Sequence, residues 1–114
     1  MELEDLKFTK ELKENWLNAL KSGQYKQTGI MLKRDEGHCC LGVLAEIHPN
    51  LSIDKSGRNC EFNGTPCYYT PFTQILTQKV VNKLYAENDN SYEKKGVNDF
   101  STVIPLIEEL STVD

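Results

Sequence analysis

The chain predicts an α+β fold: a single small domain over residues 1–114, with about four helices and a short β-hairpin or small antiparallel sheet. Three observations lead there. Apolar residues recur at helical spacing in separate stretches. An Asn63-Gly64 dipeptide stands between two short apolar-polar segments, as in a tight hairpin. The length of 114 residues suits one core, which at this size buries roughly two-thirds of the unfolded surface without staples.

The first helix spans residues 9–22. Leu12, Trp16, Ala19 and Leu20 fall on one stripe, Thr9 suits the N-cap, and Gly23 suits a left-handed stop after Ser22. Trp16 reads as a core anchor. Residues 24–34 form a connector in which Ile30-Met31-Leu32 makes a short strand, and Asp35-Glu36-Gly37 signals a turn. Residues 38–47 read as a short buried helix through Leu41, Leu44 and Ile47, ended by Pro49. Gly42 inside it weakens the helix by ~1 kcal/mol relative to Ala, so close packing against another element is the reason to keep it.

Residues 50–70 are polar and rich in turns. Cys60-Glu61-Phe62 and Cys67-Tyr68-Tyr69 form the hairpin around Asn63-Gly64, with Thr65-Pro66 lengthening its loop. Thr70-Pro71 starts a helix, Thr as cap and Pro in the first turn. That helix runs to about Tyr85 with Phe72, Ile75, Leu76, Val80 and Leu84 on one side. Residues 86–99 read as a polar connector. The last helix begins near Thr102, carrying Val103, Ile107 and Leu110, with Phe100 packing before it and Pro105 in its first turn.

Composition excludes several classes. With 13 basic against 17 acidic residues the net charge is −4, and the cations are scattered, so extended nucleic-acid binding is not expected. No apolar run approaches the ~20 residues of a membrane span. Met1-Glu2-Leu3-Glu4-Asp5 lacks the basic and apolar regions of a signal peptide, so a cytoplasmic protein with reduced thiols is the expectation.

Four cysteines and two histidines invite a metal or redox reading. Structural zinc sites place two thiolates on a Cys-x2–4-Cys turn; Cys39-Cys40 is too close and Cys60-x6-Cys67 too wide, so no metal and no cofactor is expected. Cys60 and Cys67 flank a turn, but a reducing cytosol argues against a bridge. A thiol nucleophile needs a base close by, and His38, next in sequence to Cys39, does not face it on a helix. Cys39 and Cys40 therefore read as core.

Binding chemistry is better placed in the polar segments. Tyr25, Lys26 and Gln27 combine an aromatic platform, a cation and an amide, which suits a nucleotide or a similar anion. Asn88 and Asp89, in the second connector, offer recognition of a polar ligand or a partner backbone, beside the commoner roles of turn and cap. These five residues are the candidate ligand-binding set; no catalytic residue is assigned.

The segments Trp16-Leu17-Asn18-Ala19-Leu20-Lys21-Ser22-Gly23-Gln24-Tyr25-Lys26-Gln27, Cys39-Cys40-Leu41-Gly42-Val43-Leu44, Asn88-Asp89 and Phe100 to Leu110 together resemble a family of small bacteriophage and prophage proteins of unknown function. The resemblance covers nearly the whole chain except residues 50–70. It differs in spacing: in the family pattern Asn-Asp is closely followed by the last helix, whereas here Asn90 to Asp99 intervene. The resemblance implies a phage accessory protein in the cytoplasm of an infected bacterial cell, without a reaction. The function expected is a non-enzymatic binding protein that sequesters a nucleotide-type signal of host defence, with a pocket that an oligomer interface would complete if the chain self-associates. The alternatives are a protein inhibitor that docks on a host or defence protein, and a small enzyme using Cys39 or Cys40.

Overall fold

The computed structural model describes residues 2–114. After a 3-10 turn at Leu3–Asp5, the elements are α1 (Lys10–Lys21), β1 (Lys26–Gln27), β2 (Lys33–Arg34), β3 (Gly37–His38) and α2 (Cys40–Ile47). They continue with β4 (Leu51–Ile53), β5 (Cys60–Phe62), β6 (Thr65–Tyr68), α3 (Thr70–Ile75), α4 (Gln78–Lys95) and α5 (Ile104–Glu108). The α+β class holds, with five α-helices among the described residues rather than about four; β4, β5 and β6 form the small antiparallel sheet expected, and β1, β2 and β3 add a second three-stranded sheet.

The helix starts follow their caps. Thr9 Oγ1 accepts the Leu12 N–H of α1 at 3.1 Å. Cys39 holds the same place for α2, its sulfur accepting the Gly42 N–H at 3.4 Å, so His38 falls outside the helix and into β3. Thr77 caps α4 by accepting the Val80 N–H at 3.2 Å. That cap splits the single helix expected from Thr70 to Tyr85: Leu76 is extended, and α3 and α4 meet at it. Tyr69, not Thr70, occupies the cap position of α3.

The largest departure lies in α4. The segment expected as a connector from 86 is helical to Lys95 and ends on Gly96 at φ +67, with Lys94 and Lys95 in the last turn, where cations suit the helix dipole. Its buried positions are Val81, Leu84, Asn88 and Ser91, a regular i, i+3, i+7, i+10 stripe. The stripe continues unbroken, but its second half is amide and hydroxyl, so apolar periodicity stops at Tyr85 while the helix does not.

The core gathers around α2, whose residues Cys40–Ala45 are all buried, packed against α1, α4 and β4. Trp16 is fully buried, packs edge-on to Phe8, and donates its indole N–H to the Cys40 carbonyl at 2.9 Å. Gly42 explains itself: a Cβ there would meet the Leu32 carbonyl oxygen at 1.9 Å. Leu32 belongs to an irregular segment, not to the strand expected at 30–32, because Ile30 lies at φ +75 and breaks the extended run.

The hairpin forms on Asn63-Gly64, both left-handed at φ +51 and +84. Thr65 pairs with Phe62, so Thr65-Pro66 belongs to the strand and the loop has only two residues. Pro66 is tolerated because β6 is an edge strand. Ahead of α5, Phe100 is fully buried in a left-handed conformation, and Lys13 of α1 ties down the far end of α5 by donating to the carbonyls of Glu108 and Leu110.

Candidate functional site

The first sheet has the order β1-β3-β2, with β1 parallel and β2 antiparallel to the central β3. Its register makes two rows across three strands. One is Lys26–Gly37–Arg34; the other is Gln27–His38–Lys33. Directly paired residues project to one side of a sheet. In the second row Gln27 and His38 are buried. In the first, two cations flank a glycine, about 10 Å apart at roughly 4.8 Å per strand spacing.

Gly37 is required there. A Cβ would meet the Thr28 Cβ at 2.8 Å, so the place of a side chain between the two cations is taken by Thr28. Over this row opens a cleft of about 510 Å³ between the sheet and the far end of α4, with Lys26, Arg34, Glu36 and Tyr92 on its walls. The Arg34 guanidinium sits 5.9 Å from the Tyr92 ring centre, a cation–π arrangement. Asn98, whose carbonyl accepts the Gln27 N–H at 3.0 Å, closes the side next to β1.

Of the five residues expected to bind, Lys26 and Gln27 line this cleft. Tyr25 is half-buried, its ring edge-on to His38 at 5.2 Å, and borders an adjoining groove beside α5 that shares Lys26 and Asn98 with the cleft. Gln27, Asn88 and Asp89, some sixty residues apart in sequence, come together. Asn88 is fully buried. Its Oδ1 accepts from Gln27 Nε2 at 3.1 Å and from the Cys40 N–H at 3.2 Å, and its Nδ2 donates to the Thr28 carbonyl at 2.8 Å. Gln27 Oε1 accepts the Phe100 N–H at 2.8 Å. Asp89 Oδ1 accepts the Ile30 N–H at 2.8 Å, while the Tyr85 hydroxyl donates to the Ile30 carbonyl at 2.7 Å. These amides therefore bind α4, β1, the start of α2 and the Phe100 segment into one frame behind the cleft.

Arg34, Gly37, Tyr92 and Asn98 escaped the sequence reading. Tyr92 and Asn98 lie within residues 86–99, where the sequence predicts a connector, and Tyr92 belongs to α4. Arg34 and Gly37 carry a signal only through strand register, since neither alternation nor helical spacing marks strands of two residues.

The thiols are placed for packing. Cys39, Cys40 and Cys60 are buried and unbridged, and Cys67 is partly buried. Burial pushes the Cys39 and Cys60 thiols up to about 12 and the Cys40 thiol well above its ordinary value. Among the described residues no three of His, Cys, Asp and Glu gather as a metal site would need. His38 is 6% exposed and neither ring nitrogen has a hydrogen-bond partner among the described residues; Glu46 Oε2 stands 3.6 Å from Nε2. Among those residues no helix is long and apolar enough to cross a membrane.

Over residues 8–111 the chain matches the family described as Domain of unknown function (DUF8296), and it belongs to that family. No curated protein and no solved structure matches it.

Proposed function

We propose that this DUF8296 protein is a phage accessory protein of the infected cell's cytoplasm that binds, without transforming, a small nucleotide-type molecule, and so withholds a signal of host defence. One observation carries the ligand class: the Lys26–Gly37–Arg34 row under Tyr92. Two cations on one face, separated by a glycine and overlooked by an aromatic ring, offer charge-assisted donors to a phosphate and a flat surface to a base. Glu36 on the same wall supplies an acceptor for sugar hydroxyls. Lys26 and Arg34 touch the ligand in this reading, whereas Gln27, Asn88 and Asp89 act as positioning residues that hold β1 and the 28–30 turn on α4. Tyr25 steadies the row from behind through His38.

The thiol-enzyme alternative gains no support, because a thiol held near 12 is protonated at neutral pH and a protonated thiol is a poor nucleophile. Docking on a host protein is favoured by one observation: Ile30 and Tyr68 are 47% and 68% exposed, and both are held at positive φ, where large side chains are seldom found. Calorimetry against cyclic and ADP-ribose-derived nucleotides tests the leading reading. Binding is expected, and Lys26→Ala or Arg34→Ala is expected to weaken it about tenfold or more, since a hydrogen bond to a charged group contributes about 1.5–3 kcal/mol. Absence of binding across the panel, with a stoichiometric protein co-purifying from infected cells, would replace this reading by the docking one.

A further inference from the structure

We infer that the ligand is two-lobed, a dinucleotide-type molecule rather than a single nucleotide, because a second subsite lies across the β2–β3 turn from the first. The inference rests on the nucleotide reading of the first cleft. A second cleft, also of about 510 Å³, opens beside β2, and Arg34 and Asp35 line both, so the two meet at the turn. Each volume falls within the roughly 300–1,000 Å³ of small-molecule sites, so one nucleotide would occupy one cleft and leave its neighbour empty.

The far wall of the second cleft is built, not incidental. It is the turn between β4 and β5. Asp54 Oδ1 accepts from Ser56 Oγ at 2.7 Å and from the Asn59 N–H at 3.4 Å, and the Asp54 N–H donates to the Asn59 carbonyl at 2.9 Å. The turn is then fastened to β2, where the Lys33 N–H donates to the Gly57 carbonyl at 3.0 Å. Only glycine permits that contact: Gly57 lies at φ +77, and a Cβ on it would meet the Lys33 carbonyl oxygen at 2.1 Å. A wall fastened before a ligand arrives does not have to be ordered on binding.

The chemistry of the two sides is matched. Arg34 stands at the junction, where its planar fork suits a phosphate linking two halves. Lys26 adds a cation on the first side, and Lys33 and Lys55 add cations on the second. Carboxylates for sugar hydroxyls stand on both sides, Glu36 in the first, Glu46 and Asp54 in the second and Asp35 at the junction, and the second has Ile53 and Met31 for the face of a base.

Calorimetry with the four ribonucleoside monophosphates, NAD and cyclic dinucleotides separates the possibilities. At least one two-lobed ligand is expected to bind about tenfold or more tightly than any monophosphate, a gain of about 1.4 kcal/mol. Lys55→Ala, at an exposed turn position and checked for an unchanged thermal midpoint, is expected to weaken that ligand about fivefold or more. Monophosphates that bind as well as every two-lobed ligand, or a two-lobed ligand that Lys55→Ala does not weaken, overturn the second subsite and leave the first reading standing. Failure of all these ligands to bind overturns both.

Discussion

Replacing Asn88 by alanine tests whether the amide frame behind the cleft holds the fold together. The change removes the acceptor of the Cys40 N–H and the donor to the Thr28 carbonyl, both buried, while Gln27 Nε2 retains a bond to the Asn88 carbonyl at 3.3 Å. The Cys40 amide is one of the unpaired donors of the first turn of α2, and Asn88 reaches it from another helix. Each of these two stranded buried groups costs about 1–3 kcal/mol, so the variant is expected to lose about 2–6 kcal/mol. That is a large part of the roughly 5–15 kcal/mol typical of a domain. Urea unfolding followed by the fluorescence of Trp16, the sole tryptophan and bonded to Cys40, gives the number. A loss below about 1 kcal/mol would refute the account, because the groups stranded would then have found other partners. Asn88→Asp sharpens the test. It keeps the acceptor for Cys40 but sets an oxygen against the Thr28 carbonyl unless it is protonated. Burial raises the pKa of such a carboxyl, so this variant is expected to gain stability as the pH falls through that pKa.

Two further outcomes follow from packing and charge. Gly42→Ala is expected to destabilise by about 1–3 kcal/mol in the same assay, although alanine is the better helix former by ~1 kcal/mol, because the new Cβ cannot share space with the Leu32 carbonyl, which also accepts the Cys39 N–H; a stabilised variant would contradict this. Burial holds the His38 pKa below its ordinary 6.5, with Glu46 opposing and Lys33 assisting, so the unfolded chain takes up a proton that the fold resists. Stability is therefore full above about pH 6.5 and falls as the pH drops from there towards the depressed folded value; His48, also lowered by burial, adds in the same direction, and His38→Gln is expected to flatten the slope measured by urea unfolding between pH 7.5 and 5, an unchanged slope being the contrary result.

Most of the local structure was legible wherever one residue decides the outcome by its own chemistry. Thr9 capped its helix, Asn63-Gly64 made its hairpin, Gly42 marked a close approach, and the paired cysteines were core. The errors have two separate causes. Thr77 interrupted a run that apolar spacing alone reads as continuous, and α4 went unseen past Tyr85 because its buried stripe turns from Val81 and Leu84 to Asn88 and Ser91. Periodicity reports what water rejects. It is silent on polar groups that are buried because they satisfy one another.

The candidate residues divide along the same line. The sequence by itself determined which candidate side chains are present, Tyr25-Lys26-Gln27 and Asn88-Asp89, since their donors, acceptors and charge are properties of the side chains. Only the tertiary structure decided that Gln27 and Asn88 spend those groups on each other and on the Cys40 and Phe100 amides. It also brought Arg34 beside Lys26, across Gly37, beneath a tyrosine from the far end of the chain. That grouping arises from the register of three two-residue strands. Pairing between such short strands is set by what surrounds them, here the amides of α4 on one side and the Gly57 turn on the other, and not by their own sequence.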